Sequence, residues 1–483
     1  MNKRVLCYVL GRLAAAEAAV FTLPMLYAFY CGEDYVTLFL TILVTAVVAC
    51  ELLYRGGTKG DGDITSREGI AITGLGWLLG TFFGMLPYVL GGYLGLIDGV
   101  FESISGFTGT GATVFNEIET LPKSILFWRS LTNWFGGLGI IVIFIALIPQ
   151  TGASTVHMYN AALDSASDER IMPRLKEMTK VLFGMYSVLT ILASVIYFLA
   201  GLDVFSAVNH AMTTIATGGY STYRGSIMDA ESLYVEFWMM LFMFISGANF
   251  SLYYRAAKKG LRVFWRDGEF RAYTYMFLGA TFLIALDLFT EGQAELFTAI
   301  RYAAFQASSF FNTGFVSVDF NAWPGFSQGI LLLLMISGGC AGSTASGLKI
   351  MRVLVMLKAA AAVIKQKVHP RQVSEVKLNG VKLSDEAVFR VGQFFFLYIF
   401  FLGAGALLLA LDGFPVYEAI TLSISTMGNI GTAFGAVGEM GSYGDFSVFT
   451  KCLLCFIMLL GRLEMFALLV LLRPSFWRQR NTW

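Results

Sequence analysis

The sequence predicts an all-α integral membrane protein with ten transmembrane helices. Of its 483 residues, 56% are hydrophobic and only 14% are charged, and the mean hydropathy is +0.67. Soluble domains carry roughly 25% charged residues. The apolar residues also form runs that can cross a bilayer, which takes about 20 residues per helix. These runs are 5–30, 35–54, 70–91, 124–148, 179–200, 233–254, 272–290, 326–364, 388–411 and 447–472.

The first and the eighth runs differ from a simple internal span. The first is too long for the apolar part of a cleaved signal peptide and is soon followed by a second run, so we expect the N-terminus to stay on the protein. The eighth run is too long for one simple span. Small and polar residues at 337–347 interrupt it, and their weak helix propensity predicts a break there.

Charge patterning predicts the orientation of the chain. Lysine and arginine gather in alternate loops, and the intervening loops carry mostly aspartate and glutamate. By the positive-inside rule the basic loops face the cytoplasm, so both termini of a ten-span chain in the cell membrane lie there. The net charge of +1 conceals this asymmetry. Acidic loops on the outer side raise the local concentration of cations.

Four short polar segments, each containing glycine, lie between pairs of apolar runs on the predicted outer side. Each follows a stretch that can form a short helix, at 98–107, 203–214, 295–309 and 415–427. Four backbone turns that meet on one axis can offer carbonyl oxygens in place of the water shell of a cation. The segments are Thr110-Gly111-Ala112-Thr113, Thr217-Gly218-Gly219-Tyr220, Asn312-Thr313-Gly314-Phe315 and Asn429-Ile430-Gly431-Thr432.

The order span, short helix, glycine segment, span therefore occurs four times. This repetition predicts four helix–pore-loop–helix repeats in a pseudo-fourfold arrangement. The short helices would direct their C-termini, which carry partial negative charge, towards a cation on the axis. The expected units are 70–150, 151–260, 261–385 (with an interrupted second helix) and 386–483, preceded by two helices outside the repeat at 1–69.

The motifs FESISGFTGTGAT at 101–113, TIATGGYST at 214–222, FFNTGF at 310–315 and NIGTAFG at 429–435 resemble the Trk/Ktr/HKT superfamily of potassium uptake proteins. The resemblance covers essentially the whole chain, and the two additional N-terminal spans are similar to the longer membrane subunits of that family. It implies selective potassium uptake, with potassium as the transported ion, no enzymatic activity and no cofactor bound by this chain.

The resemblance also implies a potassium-binding selectivity filter. The aligned glycines are Gly111, Gly218, Gly314 and Gly431. Since plant relatives that transport sodium have serine at the first of these positions, Gly111 favours potassium. The other expected filter residues are Thr108, Gly109, Thr110, Ile215, Ala216, Thr217, Asn312, Thr313, Asn429 and Ile430.

Two features predict a gate below the filter. Arg462 lies within the last apolar run, where an unpaired charge costs about 3 kcal/mol at mid-bilayer. In the resembling family an arginine at this point is an electrostatic barrier; the alternative is an ion pair with Glu464. The break in the eighth run would be a gating loop or a helix-packing face of small residues. Its candidate gate residues are Gly338, Gly339, Gly342, Ser343 and Gly347.

The partners follow from the resemblance. It implies a homodimer in the lipid bilayer, with one pore per subunit, and a cytosolic TrkA-type ring that binds nucleotides and regulates flux. The basic loop at 365–382 is either the docking surface for such a ring or a linker that faces lipid headgroups. No nucleic acid is expected as a partner.

Two other classes of function remain open from the residues alone. A sodium- or proton-coupled secondary transporter would carry ionisable residues near mid-membrane and a pair of broken helices, whereas here four loops converge and Arg462 is the clearest charge. A membrane-embedded enzyme would need clustered Asp, Glu or His at one membrane face. The Cys452-x-x-Cys455 pair has no second pair to complete a zinc site, and His210 is best explained as a hydrogen-bonded structural residue.

Overall fold

The protein is mainly α-helical in the part described by the computed structural model, residues 2–57, 66–147, 171–371, 375–435, 437–438 and 441–478. The helices up to the middle of the chain are α1 (Lys3–Cys31), α2 (Val36–Arg55), α3 (Ser66–Leu90), α4 (Leu96–Thr108), α5 (Lys123–Leu147), α6 (Ile171–Leu199), α7 (Val204–Ile215), α8 (Leu233–Ser246), α9 (Phe250–Lys259) and α10 (Arg262–Arg266).

The second half continues the same pattern. Its helices are α11 (Gly268–Thr290), α12 (Leu296–Asn312), α13 (Gly325–Ser337), α14 (Ile350–Val368), α15 (Asp385–Leu411), α16 (Val416–Gly428), α17 (Val448–Arg462), α18 (Phe466–Leu471) and α19 (Pro474–Trp477). A short antiparallel hairpin, β1 (Lys377–Leu378) and β2 (Val381–Lys382), pairs Leu378 with Val381.

Six helices of the described residues are long and apolar enough to cross a membrane by themselves, namely α1, α2, α3, α6, α11 and α15. The bent pair α8 and α9 would make a seventh span. Large apolar side chains such as Phe29 and Leu411 point outward from these helices, as expected for surfaces that contact lipid. These features make the chain a multi-pass membrane protein, and the count of ten spans stays a prediction.

Three of the apolar runs are broken into two helices each. The run 326–364 separates into α13 and α14 around residues 338–349, as the sequence predicted. The run 233–254 is broken as well, because α8 and α9 meet at 91°. The run 447–472 is also interrupted, by a turn at Leu463–Met465 between α17 and α18.

The short helices α4, α7, α12 and α16 correspond to the four predicted pore helices and begin and end within about three residues of the predicted limits. Each lies against the long helix that precedes it. Asp203 caps the start of α7 by accepting hydrogen bonds from the backbone N–H groups of Phe205 and Ser206. Gly109 and Asn429 end α4 and α16 in the left-handed conformation, which glycine and asparagine adopt readily.

Helices α1 and α2 stand outside the repeats, pack against one another and lie beside the first repeat. Phe21 of α1 stacks on Trp128 of α5 with ring centroids 4.4 Å apart. The indole N–H of Trp128 donates a hydrogen bond to the carbonyl oxygen of Gly84, at 3.0 Å. The two N-terminal helices thus pack against the repeat that carries the first glycine segment.

Candidate pore and selectivity filter

The four glycine segments meet in a closed ring. A Cβ atom added to Gly111 would collide with the carbonyl oxygen of Gly218, and one added to Gly219 would collide with that of Thr313. The same relation continues from Gly314 to the carbonyl oxygen of Ile430, and from Gly431 back to that of Thr110. Each loop therefore presses a backbone carbonyl against the glycine of the loop before it, and the fourth loop returns to the first.

Only glycine fits the four positions in this ring. The φ angles of Gly111, Gly219, Gly314 and Gly431 are 75°, 70°, 89° and 88°, a region that residues with a Cβ rarely adopt. Both the backbone conformation and the neighbouring carbonyl exclude a side chain. This explains why a glycine occurs at the same point of four otherwise different loops.

The second of these glycines is Gly219, so the alignment of Gly218 with Gly111, Gly314 and Gly431 was wrong by one residue. The carbonyl oxygen of Gly218 faces Gly111 in the same way that the carbonyl oxygens of Thr110 and Ile430 face Gly431 and Gly314. Gly218 is thus the equivalent of Thr110 and Ile430, and it contributes a carbonyl oxygen to the ring. Thr217 takes the left-handed φ of 54° at the position of Gly109 and Asn429.

The other predicted filter residues lie directly beside this ring and are buried. The Thr108 and Thr110 hydroxyls are 2.7 Å apart, and the side-chain amide of Asn429 donates to the Thr110 hydroxyl at 2.9 Å. In the third loop the Thr313 hydroxyl donates to the Asn312 side chain at 2.5 Å. The first and fourth loops, which are neighbours in the ring, are thus also hydrogen-bonded through their side chains.

The segment between α13 and α14 lies against the inner end of the second pore helix. The Thr344 hydroxyl donates to the carbonyl oxygen of Ile215 and accepts from the Thr217 hydroxyl, each at 3.1 Å. Ala216 follows Ile215 and caps α7. Gly338, Gly342 and Gly347 have φ angles of 67°, 78° and 90°, so a helix cannot continue through the segment.

Neighbouring helices hold this segment at several points. The backbone N–H of Cys340 donates to the carbonyl oxygen of Gly247 at 2.8 Å, and that of Phe250 donates to the carbonyl oxygen of Gly342 at 3.1 Å. A Cβ atom on Gly339 would stand 3.1 Å from the Ser343 hydroxyl. The bend between α8 and α9 therefore makes room for this segment.

Arg462 connects the last repeat to the same segment. Its Nη1 atom donates to the Thr344 carbonyl oxygen at 2.8 Å and to the Ser346 hydroxyl at 3.4 Å, while Nη2 donates to the carbonyl oxygen of Gly136 at 2.9 Å. Both nitrogens lie 3.7 Å from the point that a Cβ atom on Gly109 would occupy. A buried positive charge therefore stands next to the base of the first filter loop.

The alternative of an Arg462–Glu464 ion pair is not what the structure contains. Glu464 lies in the turn after α17 and pairs with Lys349 at 2.9 Å and Arg352 at 2.6 Å, both at the start of α14. Glu269 accepts hydrogen bonds from the backbone N–H groups of Ala341 (2.7 Å) and Met351 (3.0 Å). Two carboxylates therefore anchor the break in the eighth run.

Sequence reasoning missed a buried ion pair beside the filter. Arg129 of α5 and Glu102 of α4 are 2.8 Å apart, and their side chains are 1% and 0% exposed. Arg462 is therefore not the clearest intramembrane charge. A charged residue in each of two consecutive helices of one repeat was the available signal, because a bilayer tolerates such residues mainly as pairs.

His210, Cys452 and Cys455 are the other residues that the sequence singled out. The two ring nitrogens of His210 lie 2.8 Å from the Ser206 carbonyl oxygen and 2.9 Å from the Ser221 hydroxyl, which agrees with a structural role. Cys452 and Cys455 are free thiols. Within the described parts of the chain, no group of three or more His, Cys, Asp or Glu residues is arranged to hold a metal ion.

Comparison with known proteins assigns the chain to a family. The family model "TrkH: Cation transport protein" matches residues 39–479. The chain is 33% identical to the Trk system potassium uptake protein TrkH of Escherichia coli K12 over 99% of this chain and 100% of that protein. It is 32% identical to TrkG of the same organism, over 98% and 99% of the two chains.

A solved structure agrees with these sequence relatives. The crystal structure of the potassium transporter TrkH from Vibrio parahaemolyticus superposes with a TM-score of 0.91 and 32% identity, over 99% of this chain and 100% of the other. The agreement in fold and sequence along nearly the whole length leaves one assignment. The chain belongs to the TrkH family of cation transport proteins.

Proposed function

We propose that this protein mediates potassium uptake through a selective pore enclosed by its four repeats, and that it is a transport protein rather than an enzyme. The observation that carries the proposal is the closed ring in which four glycines each receive a neighbouring carbonyl oxygen. The relatives named as potassium uptake proteins support potassium as the ion. Backbone carbonyls at the ends of pore helices suit a cation that has lost its water shell.

In this proposal the filter consists of the four glycines and the residues before them. Gly111, Gly219, Gly314 and Gly431 let the loops approach one another. The carbonyl oxygens that bind potassium belong to the residue before each glycine and to the glycines themselves. The residues before the glycines are Thr110, Gly218, Thr313 and Ile430.

The gate consists of the segment 338–347 and Arg462. This segment is hydrogen-bonded to the base of the second loop through Thr344, and Arg462 is bonded to the same residue. Small residues give the segment several accessible backbone conformations, so it can obstruct the path or withdraw from it. Arg462 places positive charge in that path and opposes a cation when the segment is in this position.

Regulation, assembly and orientation complete the proposal. We place the protein in the cell membrane with both termini in the cytoplasm, because the basic loops lie on that side. It forms a homodimer with one pore in each subunit, and a cytosolic ring of TrkA type that binds nucleotides controls its gate. The basic region at 365–382 offers a surface for that ring.

Electrical recording tests the central proposal. Purified protein is reconstituted in planar bilayers with potassium on one side and sodium on the other, and the reversal potential is measured. We expect a large reversal potential of the sign that potassium permeation produces, which does not move with an imposed pH gradient. A reversal potential near zero would contradict selectivity, and one that follows the proton or sodium gradient would favour the coupled secondary transporter.

A further inference from the structure

The buried pair Glu102–Arg129 lies directly behind the first filter loop. The Glu102 carboxylate accepts hydrogen bonds from the Thr113 hydroxyl (3.1 Å to each oxygen) and from the backbone N–H of Val114 (3.0 Å). Arg129 donates to the Thr113 hydroxyl through Nη2 at 3.2 Å. The pair therefore binds the loop segment that follows Gly111, at the second and third residues after that glycine.

The same pair also reaches the second filter loop. The Tyr220 hydroxyl donates to the backbone carbonyl oxygen of Glu102 at 2.9 Å, and the Arg129 guanidinium lies 4.2 Å from the centre of the Tyr220 ring. Arg129 Nη1 also donates to the carbonyl oxygen of Ser221 at 3.4 Å. Since Tyr220 follows Gly219, one ion pair fixes the residues next to two of the four filter glycines.

The four repeats differ at this place in a regular way. The residue nine positions before the filter glycine is Glu102, His210, Phe305 and Leu422 in repeats one to four, and the residue two positions after it is Thr113, Ser221, Val316 and Ala433. In the first two repeats the two positions are polar and joined by hydrogen bonds. In the last two repeats both positions are apolar and buried.

This difference between the first two and the last two repeats corresponds to two ways of supporting a loop. In the third and fourth repeats these two positions are filled by apolar packing, and the loops are held by neutral hydroxyls elsewhere, such as Ser309 to the carbonyl oxygen of Phe315 (2.6 Å) and Tyr443 to that of Gly431 (2.7 Å). A hydrogen-bonded carboxylate fixes both the distance and the direction of the groups it binds. A buried ion pair also costs desolvation energy that a well-packed apolar pair avoids. The support of the first two loops therefore costs more desolvation energy, and it acts on the residues that directly follow the filter glycines.

We propose that the Glu102–Arg129 pair, acting through Thr113 and Tyr220, positions the first two filter loops and thereby sets the discrimination between potassium and sodium. This inference deepens the proposed function and rests on it. Neither charged side chain needs to touch the ion. Holding the carbonyl oxygens next to Gly111 and Gly219 at a fixed separation disfavours their collapse onto the smaller sodium ion.

The first test replaces Thr113. Because this residue is neutral, replacing it leaves the Glu102–Arg129 ion pair intact. In planar bilayers, Thr113→Val removes the hydroxyl that joins Glu102 and Arg129 to the strand, whereas Thr113→Ser keeps it. We expect Thr113→Val to lower the potassium-to-sodium permeability ratio by about three- to tenfold, the effect of losing roughly one buried hydrogen bond. Thr113→Ser should keep the parental ratio.

Further variants address the pair itself. Glu102→Gln removes the charge while keeping its shape, and the triple change Glu102→Leu, Thr113→Ala, Arg129→Met gives the first repeat the apolar pattern of the fourth without a lone buried charge. Both should lower the ratio while potassium current continues. The matched control is Glu236→Gln, which disrupts the Glu236–Arg301 pair (3.0 Å) between α8 and α12, away from Glu102; its ratio should equal that of the parent.

The outcomes separate the inference from the proposed function. If the parent shows no potassium preference, the proposed function fails and the inference fails with it. If the parent is selective and Thr113→Val reaches the bilayer and conducts with an unchanged ratio, only the inference is overturned. An equal loss of selectivity in Glu236→Gln would also overturn it, since any lost ion pair would then suffice.

Discussion

The guanidinium group of Arg462 donates a hydrogen bond to the backbone carbonyl oxygen of Thr344, at 2.8 Å. One residue ends helix α17 in the fourth repeat and the other lies in the break of the third repeat. Because Thr344 is itself bonded to Ile215 and Thr217, the contact joins three of the four repeats below the filter. A change at either residue should therefore alter conduction more than folding.

Arg462→Ala should raise potassium flux. The change removes a positive charge from the path and a charged hydrogen bond that holds the segment in place, which is worth about 1.5–3 kcal/mol. Flux through equal amounts of reconstituted protein should rise at least severalfold, measured as rubidium uptake into liposomes. Arg462→Lys keeps the charge, so its flux should rise less. Arg473→Ala, at an exposed arginine, serves as the control. Unchanged flux with lowered thermal stability would assign Arg462 a structural role.

The register of the second loop can be tested directly. Gly219→Ala places a methyl group against the carbonyl oxygen of Thr313, which cannot move without distorting the ring. We expect a large fall in the potassium-to-sodium permeability ratio, similar to that of Gly111→Ser. Gly218→Ala meets the Asn133 side chain instead, so combining it with Asn133→Ala should restore near-parental selectivity. The reverse order of effects would return the filter position to Gly218.

The ion pairs of Glu464 should stabilise the obstructed state. Its carboxylate holds Lys349 and Arg352 at the start of α14, and partly exposed pairs contribute up to about 1 kcal/mol each. Glu464→Gln should therefore raise flux by about two- to fivefold at low ionic strength, with a smaller effect at high salt. Glu386→Gln, which disrupts the exposed Glu386–Arg390 pair, should have no effect. A decrease in flux would show that the pairs favour conduction.

Shortening the break tests whether it is the gate. Deletion of residues between Gly339 and Ser346 removes Thr344 and its contacts to the second loop. Flux should rise and depend less on any cytosolic regulator, while the permeability ratio stays, because the ring of glycines is unchanged. The measurement is potassium current with and without the regulator. A folded deletion protein that conducts no better than the parent, with regulation intact, would make the segment a packing element.

Local sequence patterns were sufficient for some features of this site and insufficient for others. Short helices ending at polar glycine segments, and a weak helix at 337–347, are encoded by neighbouring residues and were predictable. The register of Thr217-Gly218-Gly219 was not, because the motif fits in either frame. Only the approach of Gly219 to the carbonyl oxygen of Thr313, almost a hundred residues away, determines which glycine belongs to the ring.

Long-range polar partners were also beyond sequence reasoning. Glu102 and Arg129 lie in separate helices, and hydropathy treats each as an isolated exception within an apolar stretch. Arg462 bonds to Gly136, which is 326 residues away, whereas Glu464, two residues further along the chain, pairs with Lys349 and Arg352 at the start of a different helix. Side-chain pairing of this kind depends on how helices pack and on which side of a turn each residue faces.

The ring of four glycines is assembled from one polypeptide, so no two of its quarters need share a sequence. A channel made of four identical subunits changes its filter at four places with every mutation of its gene. Here a mutation alters one quarter and leaves three as they were. Selection can therefore adjust ion discrimination in small steps, and the quarters are free to drift towards separate tasks.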